Sequence, residues 1–539
     1  MADIFRFKRH DYIGAADAEE DTEFLSECFI DTGDLETLMD CKKPQRIVLG
    51  RTGTGKTALL YKLIERKDVI GIKPETLSFN YLANSTILQF FIEAGVKLDL
   101  FFRLLWRHVL TVELLKRRYK IDSDSAKTSF LSRFRNLLTR NKKKERAINY
   151  LLQWGETFWE ETEYRIKEIT NKIEKDLKSS VAGGFDSLKL EVSGAKKLTE
   201  QERTKVVERG QKVINSIQMR ELSDILSFLD EDVFDDEQQN FYITIDRLDE
   251  NWVDDNFRYL LIRSLIETLR DFRGVRNVKL IVALRRDLLE RVFRYTRDAG
   301  FQEEKYRDLY LPIKWDKKQL EALLDKRVNF LVKRSYTKKS VGYKDLLPSK
   351  IGETRTIEYM IARTLRRPRE IIEFFNNCIS LAERKPSISV TSLRTAEGEY
   401  SKDRLRSLED EWYADYPSLL QFTFILRKKP ARFRICDLKI EEIEEFCLEY
   451  TITNFGQKCL LAQEAKKVAE GIISAEDFLL VLFHVFYRTG VVGLKSATYE
   501  KMLWCYEGPE TIAAKTINLD AQVAIHPVFW RVLGVKPDS

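Results

Sequence analysis

The residues with the clearest chemical potential form one continuous run, Gly50-Arg51-Thr52-Gly53-Thr54-Gly55-Lys56-Thr57. The glycines let the backbone curl so that successive N–H groups face the oxygens of a phosphate. Lys56 would reach the β- and γ-phosphates of a bound nucleotide, and the Thr57 hydroxyl would hold Mg²⁺. The spacing therefore predicts a site for ATP and Mg²⁺. The alternative is a glycine turn that carries an incidental lysine.

The elements on either side of this loop are those that a phosphate site needs. The apolar run Arg46–Leu49 indicates a buried strand, and Ala58–Ile64 has the spacing of a helix. The order of strand, glycine loop and helix places the loop at a helix N-terminus. The dipole of the helix favours anions there.

An acid at the end of a hydrophobic strand supplies the second Mg²⁺ ligand in sites of this kind. The run Phe241–Ile245 has the composition of a buried strand, and Asp246 follows it directly. We therefore predict that Asp246 and Thr57 are the two Mg²⁺ ligands from the protein. Further acids follow at Asp249 and Glu250.

Composition and charge exclude several classes of protein. The 539 residues, 44% hydrophobic and 33% charged, are enough for several folded domains with a solvated surface. The cysteines form no C-x-x-C pair, so no metal site of that kind is predicted and a reducing cytoplasm is the expected location. Charged residues interrupt the most apolar stretches, 98–112 and 478–494, so no membrane span is predicted. The net charge of +6 leaves nucleic-acid binding open.

The patterns along the chain predict an α/β fold with a P-loop NTPase core. A parallel sheet, a large helical insertion, a helical lid and a C-terminal winged-helix-like domain complete the prediction. The predicted boundaries are 1–85 and 238–315 for the two parts of the core, 86–237 for the insertion, 316–400 for the lid and 401–539 for the C-terminal domain.

Five further segments are predicted to be strands from apolar runs and period-two alternation. A second core strand is predicted at Thr76–Tyr81 and a fourth at Val278–Ala283. Phe185–Ser193 alternates as a small strand or hairpin, and the winged-helix pattern ends in a strand pair at Gly490–Lys495 and Glu500–Tyr506.

The insertion is far longer than the one or two βαβ units, of about 30 residues each, that would join the core strands. It is predicted to be a projecting helical arm whose tip, Ser180–Lys196, contacts a partner. Its basic clusters, Lys116–Lys120 and Arg140–Arg146, could contact phosphates or could be an ordinary solvated helix face. Another alternative is that its helices pack across the core and bury residues such as Leu104 and Leu105.

The segment Asp246-Arg-Leu-Asp249-Glu250 resembles the D-x-hydrophobic-D-E pattern of NACHT, KAP and wider STAND ATPases. The chain thus resembles bacterial P-loop ATPases of the AAA-like, STAND and origin-recognition-like group. The resemblance covers residues 12–85, 238–380 and 405–535. In many AAA enzymes a Glu directly follows the first Asp, whereas Arg247 stands there in this chain. The resemblance therefore gives the base or water-orienting role to Asp249 or Glu250. Asp249 could instead cap the following helix.

The strand that ends in Ala283-Leu-Arg285 is similar to the sensor-1 strand of the same group. This similarity would place Arg285 beside the phosphates, where an arginine can stabilise charge on a transferring phosphoryl group. The alternative is that Arg285 begins a surface helix and pairs with Asp287. Arg291, Arg294 and Arg297 follow and could reach the site of a neighbouring subunit, or could be plain surface.

Two C-terminal segments match the same group. Leu365–Ile372 resembles the sensor-2 region of the lid, which would place Pro368 near the adenine and Arg369 or Arg367 near the phosphates. Proline in the first turn of a helix is also ordinary architecture. His526 lies where STAND proteins often have a histidine that senses bound ADP, although a structural histidine is the alternative.

The resemblance implies an ATP-binding and ATP-hydrolysing switch or motor, and many bacterial members of the group serve in anti-phage defence. The first hypothesis is that nucleotide state controls the assembly or activation of a partner, either a protein effector or further copies of the chain. The second is a DNA-binding ATPase of loader, initiator or repair type that uses the winged helix and the basic clusters. The third is a scaffold that binds nucleotide with little turnover.

Overall fold

A computed structural model describes residues 5–77, 82, 84–120, 171, 174–179, 192–216, 226–227, 229–234, 239–297, 302–336, 340–454, 456, 458–495, 501–507, 512 and 514–537. The chain forms two compact units. The sheet unit comprises Asp31–Arg51 and Lys56–Ile313, and the C-terminal unit comprises Met1–Ile30, Thr52–Gly55 and Lys314–Ser539. The five domain ranges stay a prediction.

The helices of the described residues are α1 (Thr22–Cys28), α2 (Asp34–Met39), α3 (Lys56–Arg66), α4 (Thr86–Ala94), α5 (Asp99–Tyr119), α6 (Val192–Ala195), α7 (Glu200–Ser216), α8 (Asp255–Asp271), α9 (Arg286–Thr296), α10 (Lys317–Ser335), α11 (Tyr343–Leu346), α12 (Thr356–Ile361), α13 (Pro368–Ser380), α14 (Val390–Trp412), α15 (Leu419–Thr423), α16 (Ile440–Thr453), α17 (Leu460–Ala469), α18 (Ala475–Thr489) and α19 (Trp530–Leu533). The strands are β1 (Ile47–Gly50), β2 (Val69–Ile72), β3 (Phe241–Ile245), β4 (Val278–Arg285), β5 (Tyr310–Pro312), β6 (Lys350–Ile351), β7 (Thr354–Arg355), β8 (Arg432–Arg434), β9 (Val492–Lys495) and β10 (Gln522–Ile525).

The sheet unit contains a parallel sheet in the order β2-β3-β4-β1-β5. All of β3 is buried, as is β4 up to its last residue, which explains why both strands are mostly apolar in the sequence. Gly50 at the end of β1 lies opposite Arg285 at the end of β4. Because parallel strands end at the same edge, the residues that follow β1, β3 and β4 meet at the carboxyl edge of this sheet.

The strands predicted at Phe241–Ile245 and Val278–Ala283 are confirmed, but the strand predicted at Thr76–Tyr81 is wrong in its described part. Pro74–Leu77 is a 3-10 turn, and the edge strand is β2, which pairs with β3 immediately after α3. Proline favours the first turn of a helix, which explains the turn. Residues 78–81 lie outside the described residues.

The first helices of the predicted insertion pack in the core of the sheet unit. Phe101, Leu105 and Trp106 of α5 are fully buried, and the Trp106 Nε1 donates to the carbonyl oxygen of Leu261 on α8 at 2.9 Å. Residues 86–119 therefore follow the alternative in which the helices pack across the core. Residues 121–170 and 180–191 lie outside the described residues, so a projecting arm with a contacting tip stays a prediction for that part.

The strand predicted at Phe185–Ser193 falls mostly outside the described residues. Its described end, Val192–Ser193, belongs to the short helix α6, so the strand prediction is wrong there. Helix α7 follows, from Glu200 to Ser216.

The C-terminal unit consists of helices and a three-stranded antiparallel sheet in the order β8-β10-β9. The strand predicted at Gly490–Lys495 is confirmed by β9, which pairs along its length with β10, a strand that was not predicted. Among the described residues, the predicted pairing with Glu500–Tyr506 is present at one position only. Leu503 forms only an isolated bridge with Leu494. Among the residues that the structure describes, no helix combines the length and apolar character needed to cross a membrane.

Candidate functional site

The glycine-rich segment is a tight loop between β1 and α3. Gly53 has φ of +76° and Gly55 has φ of +93°, a left-handed region in which glycine is favoured. The Lys56 Nζ lies 3.3 Å from the carbonyl oxygen of Gly50 and 3.0 Å from that of Arg51. The Lys56 side chain, at the N-terminus of α3, therefore reaches back to the start of the loop. A backbone of this form presents N–H groups to an anion.

The predicted Mg²⁺ ligands lie next to each other in the sheet unit. The Thr57 Oγ1 donates to the Asp246 Oδ2 at 2.9 Å, and the Arg247 N–H donates to the Asp246 Oδ1 at 2.8 Å. Burial raises the pKa of Asp246, whereas the Arg247 N–H and the Thr57 hydroxyl lower it. A hydroxyl and a carboxylate beside a phosphate loop are the oxygen donors that Mg²⁺ uses with nucleotide phosphates. The donor set fits Mg²⁺.

Arg285 ends β4, the strand between β1 and β3. Its Nε and Nη2 donate to the two carboxylate oxygens of Asp287 at 3.1 and 2.9 Å, so the pairing with Asp287 that the sequence left open is confirmed. Its Nη1 also lies 3.4 Å from the Asp249 Oδ2. Arg291 is buried and donates to Asp287 at 2.7 Å, so the idea that it reaches a neighbouring subunit is wrong. Arg294 and Arg297 are exposed.

The two candidate acids after Asp246 have different surroundings. Asp249 contacts Arg285, as described above. The Glu250 Oε1 lies 3.6 Å from the Arg247 Nε, and half of the Glu250 side chain is exposed. Burial raises the pKa of Glu250, Arg247 lowers it and Glu75 raises it. The cap of α8 is Asp254, which accepts from a backbone N–H at 3.0 Å, so the idea that Asp249 is the cap is wrong.

The charges near Lys56 show which groups the fold brings together. Burial lowers the pKa of Lys56 to about 8; Asp249 raises it, Arg285 lowers it and Asp246 raises it. These groups follow β1, β3 and β4, whose carboxyl ends share one edge of the sheet. The arrangement can bind a phosphate chain and place both a carboxylate and a guanidinium beside it.

The predicted lid residues lie in the C-terminal unit with the tip of the phosphate loop. Pro368 begins α13, where proline is structurally ordinary. The Arg369 Nε donates to the carbonyl oxygen of Ala16 at 2.9 Å. A Cβ at position 53 would lie 3.0 Å from the Arg369 Cβ, so a larger residue there would crowd Arg369 and require a small shift. The Arg367 guanidinium donates to the carbonyl oxygen of Thr52 at 3.1 Å.

Sequence reasoning missed two residues near this loop tip. The Trp315 indole Nε1 donates to the carbonyl oxygen of Thr54 at 2.9 Å, and both nitrogen termini of Arg367 donate to Glu411, at 2.8 and 3.3 Å. Trp315 closely follows β5, which is the one signal that could have linked it to the sheet. Nothing in the local sequence around Glu411 indicates its partner.

His526 has the surroundings of a structural residue. It is buried, its Nδ1 accepts from the Val528 N–H at 3.3 Å, and its Nε2 lies 3.0 Å from the Tyr506 hydroxyl. Its ring also meets the Trp504 ring edge to face, with centroids 4.9 Å apart. These contacts agree with the structural alternative.

The chain is similar to known proteins in part. A family model described as the FunZ-associated C-terminal helical domain matches residues 318–409. A protein of Escherichia coli (strain K12), named as the 80.3 kDa protein of transposon gamma-delta, is 23% identical over 558 aligned positions, which span 98% of this chain and 67% of that protein. The names of these two matches do not include NACHT, KAP or STAND.

Among solved structures, the crystal structure of Cdc6p from Pyrobaculum aerophilum aligns with 94% of this chain and 90% of its own. The identity is 12% and the TM-score is 0.27, which supports no statement about the fold. Residues 318–409 therefore resemble a known helical domain. The assignment of the phosphate site rests instead on the geometry of the residues that the structure describes.

Proposed function

We propose that the chain binds ATP with Mg²⁺ and hydrolyses it. The observation that carries the proposal is the convergence of Lys56, Thr57, Asp246 and Arg285 at the carboxyl edge of one parallel sheet. Lys56 would contact the β- and γ-phosphates, and Thr57 and Asp246 would hold Mg²⁺. When bound, Mg²⁺ would neutralise charge on the phosphates.

Asp249 is the residue that we propose for orienting the attacking water. Its carboxylate lies 3.4 Å from Arg285 and acts electrostatically on Lys56, which supports a position beside the phosphates. Glu250 pairs with Arg247 on a more exposed part of the loop, which supports a smaller role. Arg285 would stabilise charge on the transferring phosphoryl group, with Asp287 fixing its orientation.

Two variants test nucleotide binding and turnover separately. Lys56→Ala should weaken ATP affinity by about 10- to 100-fold, the value of a charge-assisted hydrogen bond, in a protein with unchanged thermal stability. Asp246→Ala should abolish Mg²⁺-dependent phosphate release while ADP still binds without Mg²⁺. Unchanged affinity in folded Lys56→Ala would contradict the phosphate site. Wild-type protein that binds ATP but releases no phosphate would establish the scaffold alternative.

We further propose that nucleotide state controls contact with a protein partner, either an effector or another copy of the chain. The outer face of α16 supports a protein partner. It combines exposed Leu448 and Ile452, one helical turn apart, with exposed Glu441 and Glu445. An acidic and aliphatic face suits a basic, partly apolar protein surface better than a phosphate backbone. Anti-phage defence finds no support in either match and is not part of the proposal.

The second candidate is a DNA-binding ATPase, which the name of the transposon gamma-delta relative favours. The helices that precede β9, together with the sheet β8-β10-β9, support a winged-helix-like domain, and Arg427, Lys428 and Arg432 are exposed near β8. Against it, α18 directly precedes β9 and is largely buried. The guanidinium of Arg488, the only basic residue of α18 besides His484, donates to the Tyr416 hydroxyl at 3.2 Å.

A salt titration decides between the two candidates. DNA binding through basic residues should weaken by orders of magnitude between about 50 and 200 mM salt, as measured by fluorescence anisotropy with a duplex. Arg427→Ala and Lys428→Ala should each reduce the salt slope by about one under that candidate. Binding that is absent at low salt would exclude DNA and leave the protein partner.

A further inference from the structure

Three consecutive carbonyl oxygens at the tip of the phosphate loop, those of residues 52–54, face donors of the C-terminal unit. The Arg367 Nη1 donates to the first at 3.1 Å. The backbone N–H of Arg369 points to the second, with 3.5 Å between nitrogen and oxygen. The Trp315 Nε1 donates to the third at 2.9 Å. These three donors are called the carbonyl bracket.

The carbonyl bracket fixes the direction of the loop's N–H groups. In a planar trans peptide, the C=O and the following N–H point in opposite directions. Holding the carbonyl oxygens of residues 52–54 toward the bracket therefore turns the N–H groups of residues 53–55 away from it. Those N–H groups belong to the segment with left-handed glycines at Gly53 and Gly55, a conformation that binds anions through backbone amides.

The guanidinium of Arg367 is itself held by acids. Glu411 accepts from both of its Nη atoms, and Glu370 lies 3.5 Å from its Nε. All three side chains are buried. Burial alone would lower the pKa of Arg367, but Glu411 and Glu370 raise it above its ordinary value. Turning Arg367 toward a phosphate would leave Glu411 buried without this partner, which is costly. Arg367 is therefore suited to hold the loop rather than the ligand.

Glu411 lies near the end of α14, and the same helix contacts the end of the chain. The Ser401 Oγ of α14 donates to the carbonyl oxygen of Val528 at 2.5 Å and accepts from the Val532 N–H at 3.2 Å. These two bonds hold α14 within the C-terminal unit. Glu411, near the end of the same helix, is therefore a fixed partner for Arg367.

We propose that the carbonyl bracket preorganises the phosphate loop, so that Trp315 and Arg367 are positioning residues for the nucleotide phosphates. The proposal rests on the proposed ATP site and adds residues that the motif itself does not contain. Preorganised N–H groups bind phosphate without first losing backbone freedom, so loss of one bracket bond should weaken phosphate binding.

Trp315→Phe is the sharpest test, because it removes one N–H donor and keeps an aromatic ring. Trp530→Phe is the matched control, since the Trp530 Nε1 donates to the carbonyl oxygen of Ile525 at 2.8 Å in the same unit. In competition against a fluorescent ADP, Trp315→Phe should bind ADP about 3- to 10-fold more weakly than Trp530→Phe does. This is the value of one hydrogen bond. Adenosine, which lacks phosphates, should compete equally well for binding to both variants.

A second variant, Glu411→Gln, removes the charge that holds Arg367 and should weaken ADP binding in the same range. ADP affinities of Trp315→Phe and Glu411→Gln equal to that of Trp530→Phe would overturn the proposal, as would equal losses for ADP and adenosine. If wild-type protein binds no ADP and Lys56→Ala behaves identically, the proposed function itself fails. If Lys56→Ala alone loses binding, the ATP site stands and only the bracket is refuted.

Discussion

Raising the pH through 8 should weaken nucleotide binding, because Lys56 then loses its charge. Burial lowers the pKa of Lys56 to about 8 from 10.5, against the opposing effect of Asp249. Nearby phosphates favour the charged ammonium and raise its pKa in the complex. Binding at pH 8 to 9 must therefore take up a proton, and affinity must fall as the pH rises.

The size of the loss of affinity follows from the lowered pKa of Lys56. At pH 9 only about one tenth of the free protein carries a charged Lys56, so ADP affinity should be about 10-fold weaker than at pH 7. The phosphates of ADP titrate near pH 6, below this range. Isothermal titration calorimetry in buffers of different ionisation enthalpy measures the proton uptake directly, and omission of Mg²⁺ leaves the metal ligands out of the measurement.

Lys56→Arg is the matched control, because arginine stays charged throughout this pH range. Its ADP affinity, even if weaker, should not change between pH 7 and 9. Wild-type protein that takes up no proton at pH 8.5 would refute the reasoning, whatever the variant does. An identical loss of affinity in wild type and variant would assign the pH effect to another group.

Three further predictions concern the site and its support. Asp249→Asn should reduce turnover at saturating ATP by a factor of about 10² to 10³, a larger loss than Glu250→Gln causes. A phosphate-release assay measures both losses, and the reverse order would assign the water-orienting role to Glu250. Asp287→Asn removes the buried charge that holds Arg285 and Arg291. It should lower the free energy of unfolding by about 3 to 5 kcal/mol, measured by urea denaturation. A loss of turnover without a loss of stability would contradict this prediction. Leu105→Ala should cost about 2 to 5 kcal/mol in the same assay, and a negligible cost would make α5 a detachable element.

The sequence predicted those parts of the site that are local in the chain. The glycine loop, Lys56 and Thr57 lie within eight residues, so their spacing alone indicates phosphate chemistry. β3 and β4 were predictable because strands covered on both faces are mostly apolar in sequence. Asp246 followed from its place directly after β3.

The remaining contacts join residues that are distant in the chain. Trp315 is 261 positions from the residue whose carbonyl it binds, and Arg367 is 315 positions from its own loop partner. No periodicity or motif reports such a pair. β2 was missed for a different reason. It has only four residues, including a glycine, and its strand character depends on pairing with β3.

The packing of α5 also gives the insertion a physical connection to the site. Arg103 and Arg107 look like interruptions of an apolar helix in the sequence, yet both donate to Asp271 at the end of α8. The same helix, α8, begins just after the loop that carries Asp249. A nucleotide-dependent shift of that loop would therefore move α8 and, with it, α5.

This connection predicts that residues 99–119 of α5 change their amide hydrogen exchange between the ADP-bound and ATP-bound states. The reason is mechanical, because packed helices shift together rather than deform independently. Helix α18 is the internal control, since it is equally buried but lies in the other unit. Asp249→Asn, which slows turnover, would keep ATP bound long enough for the measurement. Unchanged exchange in α5 would show that α8 does not transmit the nucleotide state, and any signal to a partner would then have to leave the sheet unit by another route.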